Sequence, residues 1–127
     1  MKIAVQQVPN PEVMFMLALL CDQLSDHEQA KAMYESVLQK VPNHFEARVN
    51  LAIVNEKQGK SKIANKNYQD ALKLKPKEAK LHHLMAINMK RAGNLQDALK
   101  CYKNAMDLEP DNSVFLYNTG LLLNIQS

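Results

Sequence analysis

The sequence predicts an all-α protein, a solenoid of antiparallel helix hairpins. Three observations predict it: the same residue types return every 34 positions, apolar residues inside each unit follow helical spacing, and a proline closes each unit. A repeat of this length is typical of stacked supersecondary units. Because one such unit cannot bury its own apolar face, we expect the units to stack into one continuous core.

The repeat is visible as aligned columns of residues. The units predicted from it are 11–44, 45–78 and 79–112, after an N-terminal extension at 1–10 and before a partial fourth unit or capping helix at 113–127, in one domain overall. The columns are Pro42, Pro76 and Pro110; Tyr34, Tyr68 and Tyr102; Ala30, Ala64 and Ala98; and Ala18, Ala52, Ala86 and Gly120.

Each unit is predicted to contain two helices. In the first helix of the first unit, apolar residues lie at positions i, i+3, i+4 and i+7, which form one helical face; they are Met14, Leu17, Ala18 and Cys21. A turn follows, where Gly59 and Gly93 align with each other and with Ser25. Glycine relieves the strain of a tight turn. The proline after the second helix ends the unit, since it cannot continue a helix.

The last segment repeats a first helix without its second. By alignment with the earlier units, its core side is predicted to be Leu116, Gly120 and Leu123, with Leu121 and Leu122 adding apolar surface elsewhere. A solenoid normally finishes with a polar-faced cap. This ending is therefore interpreted as an imperfect cap, a contact between copies, or a cut from a longer array.

These columns resemble the tetratricopeptide repeat. The resemblance rests on the 34-residue period, the Leu–small pair and the small–Tyr–Ala–Pro order, and it covers about 11–127. It departs from the family where a large aromatic residue is often found early in the first helix; Met14, Arg48, His82 and Leu116 stand there. The resemblance implies a right-handed stack with a concave inner groove, and a non-catalytic scaffold that binds other protein chains.

Composition argues against several other classes of protein. The net charge of +3 is too small to indicate nucleic-acid binding, and no apolar run reaches the roughly 20 residues of a membrane-spanning helix. Cys21 and Cys101 are far apart and predict buried thiols rather than a zinc site. Adjacent His82 and His83 diverge on a helix and do not converge on one metal. We therefore expect no enzyme, no cofactor, no metal and no membrane insertion, with a cytoplasmic location as the default.

The first helices carry the predicted binding site. In this family they line the concave face, and here the side opposite the core columns is largely apolar, whereas the second helices are rich in charge. Apolar members are expected to bury ligand side chains, Asn50 to hydrogen-bond ligand backbone, and Lys80 and Arg91 to hold an acidic residue. The predicted partner-binding residues are Phe15, Leu19, Val49, Asn50, Ile53, Lys80, Leu84, Ile87 and Arg91.

Alternatives remain open for this apolar side. The alternatives are burial of this side between adjacent hairpins and folding of the N-terminal segment back into the groove. One branch of the family grips chaperone carboxylate tails; Asn50 and Lys80 match its clamp, but Phe15, Leu19 and Leu84 occupy the places of its other polar residues. The main alternative function is a structural, self-associating segment of a longer array, forming a homo-oligomer through 113–127. The second alternative function is a regulatory region of an enzyme subunit.

Overall fold

The computed structural model describes the backbone of residues 10–126 and the side-chain surroundings of residues 10–123. Within that part of the chain all regular structure is helical, and none of the helices is long and apolar enough to cross a membrane. Nearly all of the N-terminal extension, and any contact it makes with the groove, lies outside the described residues. The helices are α1 Pro11–Gln23, α2 His27–Lys40, α3 Phe45–Lys57, α4 Ser61–Leu74, α5 Ala79–Arg91, α6 Leu95–Leu108 and α7 Ser113–Gln126.

Side-chain caps fix where several of these helices begin. Asn10 Oδ1 accepts the backbone N–H of Val13 at 2.8 Å, directly before Pro11 at the first helical position. At the equivalent place before α3, His44 Nδ1 accepts the N–H of Ala47 at 3.0 Å. Such caps satisfy N–H groups that lack a partner inside the helix. The cap before α1 also uses proline's preset φ, which suits the first turn.

The turns inside the three hairpins share one backbone conformation. Ser25, Gly59 and Gly93 have φ values of 60°, 79° and 88°, in the left-handed region. Only glycine adopts this region without a steric cost from Cβ. This requirement explains the glycine column, and Ser25 carries that cost in the first hairpin.

The interior is built from the predicted alanine and tyrosine columns. Each member of three of these columns is at most 1% exposed: Ala18, Ala52 and Ala86; Ala30, Ala64 and Ala98; and Tyr34, Tyr68 and Tyr102. Small alanines let paired helices approach closely, and the tyrosine rings fill the space beside them. We call α1, α3, α5 and α7 the leading helices, and α2, α4 and α6 the trailing helices. Each of the first three leading helices packs against the trailing helix that follows it. The all-α solenoid of antiparallel hairpins is thereby confirmed.

Each leading helix after α1 has a second face that the preceding hairpin covers. Leu51, Met85 and Thr119 align on that face and are each 5% exposed. Leu17, their counterpart in α1, is 40% exposed, because no described helix precedes α1. The predicted core face of α1 is therefore only partly buried: Met14 and Ala18 lie inside, while Leu17 is exposed at the first helix of the described stack.

The predicted core side of α7 is wrong. Phe115, Thr119 and Leu122 are buried against the preceding hairpin, with exposures of 5%, 5% and 0%. Leu116 and Leu123 are 51% and 47% exposed, and Gly120 is also exposed. The alignment pointed to these three because their counterparts in α1, α3 and α5 face a trailing helix of the same hairpin. No described helix follows α7 to cover Leu116 and Gly120 in this way.

Two ion pairs join successive hairpins, and in each of them the carboxylate also accepts a hydrogen bond from a tyrosine hydroxyl. The Tyr68 hydroxyl donates to Glu56 at 2.9 Å, and Glu56 accepts from Arg91 of the next hairpin at 2.7 Å. The first hairpin has the same arrangement, in which Tyr34 donates to Asp22 at 3.2 Å and Lys57 lies 3.6 Å from that carboxylate. Burial, with the nearby carboxylate, raises the pKa of both phenols well above its usual value. Both tyrosines therefore remain hydrogen-bond donors at neutral pH.

Both members of the adjacent histidine pair are buried. His82 and His83 are each 9% exposed. His82 Nε2 lies 3.0 Å from the Pro76 carbonyl oxygen. The His83 ring lies 4.6 Å from that of Phe115, so α7 covers a residue that α5 alone would expose.

Acid is expected to destabilise the fold through His83. Burial lowers the pKa of His83 below its ordinary value of about 6.5. Below that pH the unfolded chain takes up a proton that the folded chain does not, so the free energy of unfolding falls as pH falls. Urea unfolding of wild type and His83→Phe between pH 7.5 and 5 should show a shallower pH dependence in the variant. Equal pH dependence in the two proteins would contradict this assignment.

Candidate functional site

Side chains of three leading helices line an apolar cavity of about 390 Å³. It spans α1, α3 and α5 and opens on the surface of the stack. Phe45, Val49 and Ile53 form its floor along α3 and pack against the main core, which fixes their positions. Phe15 forms one wall; its ring lies 4.7 Å from the ring of His44 and 6.0 Å from that of Tyr34.

Seven of the nine predicted site residues line this one cavity. They come from three helices separated along the chain, and the structure brings them together; they are Phe15, Leu19, Val49, Asn50, Ile53, Lys80 and Leu84. Leu19 is the most open of the apolar members, with 37% of its surface exposed. The cavity thus combines an apolar floor and walls with one amide and one cation.

Ile87 and Arg91 do not line the cavity. Ile87 is half-buried against the main core. Arg91 points to Glu56, whose side chain is 8% exposed, and their 2.7 Å ion pair joins two hairpins. The predicted role of Arg91 in holding an acidic ligand residue is therefore not supported by its position, and Lys80 is the cavity's cation.

Four further residues line the cavity and were not predicted: Phe45, Glu46, Glu78 and Leu81. Helical spacing could have predicted two of them. Phe45 lies four residues before Val49, and Glu46 lies four residues before Asn50, so each pair shares a face of α3. Glu78 directly precedes α5, and its approach to the cavity depends on how two hairpins stack.

The mouth of the cavity carries charge of both signs. The carboxylates of Glu46 and Glu78 and the ammonium of Lys80 make no ion pair or hydrogen bond to other described side chains. Lys75 instead lies over the Phe45 ring, 4.5 Å from its centroid, as a cation–π contact. Three charged groups are thus available to a ligand beside an apolar surface.

Among the described residues no three His, Cys, Asp or Glu side chains are grouped as a metal would need. Cys101 is buried, and burial raises the pKa of its thiol, which disfavours the nucleophilic thiolate. The chemistry that the cavity offers is therefore apolar burial, hydrogen bonding by Asn50 and charge pairing.

Solved structures share this fold. MamA from Desulfovibrio magneticus RS-1, from residue 41 to its end, superposes with a TM-score of 0.84 at 22% identity over 92% of this chain and 66% of that chain. YrrB, described as a TPR protein with an unusual peptide-binding site, gives 0.83 at 18% identity, over 89% of this chain and 58% of its own. The first TPR of Spaghetti (RPAP3), bound to the HSP90 peptide SRMEEVD, gives 0.85 at 16% identity over 92% and 93%.

The chain spans less than two thirds of the MamA and YrrB chains, and at these identities the likeness concerns the fold alone. No curated protein sequence matches it. The model of the TT21 fifth ARM repeats domain matches residues 12–110, most of the chain. With the buried alanine and tyrosine columns and the stacked hairpins, this match shows that the chain belongs to the TT21 fifth ARM repeats domain family and folds as a tetratricopeptide-type solenoid.

Proposed function

We propose that the chain is a non-catalytic protein-interaction module that binds a peptide or helical segment of a partner protein in its concave cavity. The observation that carries the proposal is the open apolar cavity assembled from three leading helices. Contiguous apolar surface that remains exposed marks interaction sites in soluble proteins. Apolar grooves between helices recognise extended or helical peptides through a few anchoring side chains.

Two of the similar structures support this role by what their descriptions state. YrrB is described as having a peptide-binding site, and the RPAP3 repeat domain is bound to an HSP90 peptide. Both have the same stack of hairpins as this chain. The shared fold makes a concave face available, and the side chains on that face decide which peptide it accepts.

The cavity favours a ligand with a large apolar side chain flanked by a basic residue. Phe15, Val49 and Ile53 line the cavity and would contact the apolar anchor, and Asn50 would hydrogen-bond ligand backbone. The free carboxylates of Glu46 and Glu78 suit a lysine or arginine beside the anchor, because unlike charges steer association and fix its register. Lys80 then pairs with an acidic ligand group on the other side.

An acidic carboxylate tail is a poor ligand for the same surface. Phe15, Leu19 and Leu84 supply no hydrogen-bond donors for a carboxylate, and Glu46 and Glu78 repel it. A site built to hold a carboxylate needs several converging cations or amides. We therefore infer that this cavity does not accept the SRMEEVD type of peptide seen with the RPAP3 repeat domain.

Leu19→Glu is expected to weaken groove binding by at least about tenfold, since it places a charge against an apolar anchor and raises the desolvation cost. Peptides would be selected from a random 12-residue phage-displayed library on wild-type chain, and the affinities of selected peptides measured by calorimetry. Leu20→Glu is the matched control: Leu20 is the next residue of α1, 55% exposed, and outside the cavity.

The proposal predicts peptides that bind wild type and Leu20→Glu equally and Leu19→Glu weakly. Selected peptides that bind all three proteins equally, or a library that yields no binder, would contradict it. Ile53→Glu is a poor choice of variant, because Ile53 is half-buried against the main core and its substitution would also destabilise the fold. Circular dichroism of each variant confirms that its helices are intact before binding is compared.

A further inference from the structure

The trailing helix α4 carries a row of exposed lysines. Lys62, Lys66 and Lys73 follow the spacing i, i+4 and i+11, which places them within about 40° of one another around the helix axis. The side chains of Lys66 and Lys73 are 76% and 79% exposed. We call these three residues the basic stripe. No residue of α4 lines the apolar cavity, so the stripe is a separate surface.

An apolar side chain lies beside the basic stripe. Ile63 is 51% exposed. Together with Lys62, Lys66, Asn67 and Asp70, it lines a surface depression of about 380 Å³. A single exposed apolar residue is common on protein surfaces, but this one adjoins a depression with room for a side chain. The surface therefore combines positive charge with a place for an apolar anchor.

Asp70 is the acid that lines this depression, and its charge is offset by three cations. Its carboxylate lies 3.8 Å from Arg48 Nη1 and 3.9 Å from the Nζ of both Lys66 and Lys73. Ion pairs of exposed lysines are weak. Both lysines can therefore turn toward a partner while Arg48 remains beside Asp70. Lys62 forms no ion pair with a described side chain.

The repeat provides an internal comparison for this surface. The columns of the exposed polar residues along α4 and in its flanking turns are exposed in all three units. In the second unit they are Lys60, Lys62, Lys66, Gln69, Lys73 and Lys77. In the first unit they are Asp26, Glu28, Ala32, Glu35, Gln39 and Asn43. In the third unit they are Asn94, Gln96, Lys100, Lys103, Asp107 and Asp111.

At these columns the second unit alone lacks an acid. It is also the unit with an apolar residue beside them, since Ile63 corresponds to Gln29 and Asp97. The same columns are exposed in the other two units with acidic and neutral residues. Solubility therefore does not account for five lysines and an isoleucine at one place, whereas recognition of a negatively charged partner does.

We propose that the basic stripe and Ile63 dock an acidic segment of a partner protein, whose carboxylates meet the lysines and whose apolar side chain enters the depression. Unlike charges steer such a segment and fix its register. The acids of the first and third units repel it on either side and confine it to α4. A nucleic acid fits this surface less well, because none of the residues that line the depression is aromatic and could stack on a base.

The probes for the test are two fluorescein-labelled peptides of glutamate and serine, identical except for leucine or serine at one central position. Their binding to the full chain would be followed by fluorescence anisotropy. We expect saturable binding of the leucine peptide, at least about threefold tighter than that of the serine peptide. Ile63→Ser should abolish this difference, because the leucine then loses its apolar contact.

Two pairs of charge reversals test the position of the site. Lys62→Glu with Lys66→Glu should weaken binding of the leucine peptide at least about tenfold. Lys100→Glu with Lys103→Glu is the matched control on α6: it changes the net charge by the same amount and should change the affinity less than about threefold. Leu19→Glu, which lies in the apolar cavity, should leave the affinity unchanged.

Several results would overturn the proposal. They are an absence of saturable binding, equal weakening by the two lysine pairs, and a leucine preference that survives Ile63→Ser. Tighter binding of a single-stranded oligothymidylate or of phosphatidylserine vesicles would also overturn it, since the stripe would then recognise polyanions in general. Circular dichroism checks that each variant is folded, and Ile63→Ser alters a half-exposed side chain, so it decides the question even if a lysine pair unfolds.

Discussion

Tyr68→Ala is expected to lower the free energy of unfolding by about 3–5 kcal/mol, the cost of removing a fully buried aromatic ring from a packed core. Tyr68 is 0% exposed and lies in the main core cluster between Ala64 and Ala71 of its own helix. The substitution leaves a ring-sized cavity and removes the hydroxyl that donates to Glu56. Since α4 packs on both neighbouring leading helices, the loss is expected to affect the whole stack.

Urea unfolding followed by circular dichroism measures this change. Two control variants separate the contribution of the buried ring from that of the hydroxyl and from that of an exposed tyrosine. Tyr68→Phe keeps the ring and removes only the hydrogen bond to Glu56, so it should cost about 1 kcal/mol. Tyr117→Ala removes the same side chain from a site that is 68% exposed and should cost less than about 0.5 kcal/mol. Equal losses for Tyr68→Ala and Tyr117→Ala would show that the tyrosine column does not hold the stack together.

The sequence predicted the fold because the stack is periodic. In a solenoid each unit meets the same neighbours, so a residue such as Tyr68 has the same surroundings as its counterparts 34 positions away, and selection for packing leaves a visible column. The turns are predictable for a similar local reason: positive φ at Gly59 and Gly93 requires a residue without Cβ. Both signals depend on contacts that recur in every unit.

The same periodicity gave wrong predictions of burial at the two ends of the described chain. Leu17 and Leu116 belong to core columns by alignment, yet they are 40% and 51% exposed. A column reports the surroundings of an internal unit, and an end unit lacks one neighbour. Identical residue types are therefore buried or exposed according to position in the stack, which no alignment of the units with one another can reveal.

The cavity-lining residues that the sequence could predict are those whose direction follows from the spacing within one helix. Leu19, Val49 and Ile53 follow from helical spacing, and they line the cavity. Arg91 did not follow, because its ion pair with Glu56 joins residues 35 positions apart on different hairpins. Spacing within one helix gives the direction of a side chain; the partner it meets depends on the rotation between hairpins, which the sequence does not state directly.

Leu122→Ala and Leu116→Ala are expected to destabilise the fold to very different extents, although both remove the same side chain from α7. Leu122 is 0% exposed in the main core cluster, so its truncation leaves a cavity and should cost about 2–5 kcal/mol. Leu116 lies on the open face, and its truncation should cost less than about 0.5 kcal/mol. Hydrogen exchange of α7 amides measures the difference, because undocking of α7 exposes them.

The alignment of the units predicts the reverse result, since it assigns Leu116 to the core side and Leu122 to the surface. The pair of variants therefore decides between the repeat column and the observed packing. Faster exchange confined to α7 in Leu122→Ala would show that this helix is held by the preceding hairpin alone. Faster exchange in Leu116→Ala would mean that its face is covered in solution.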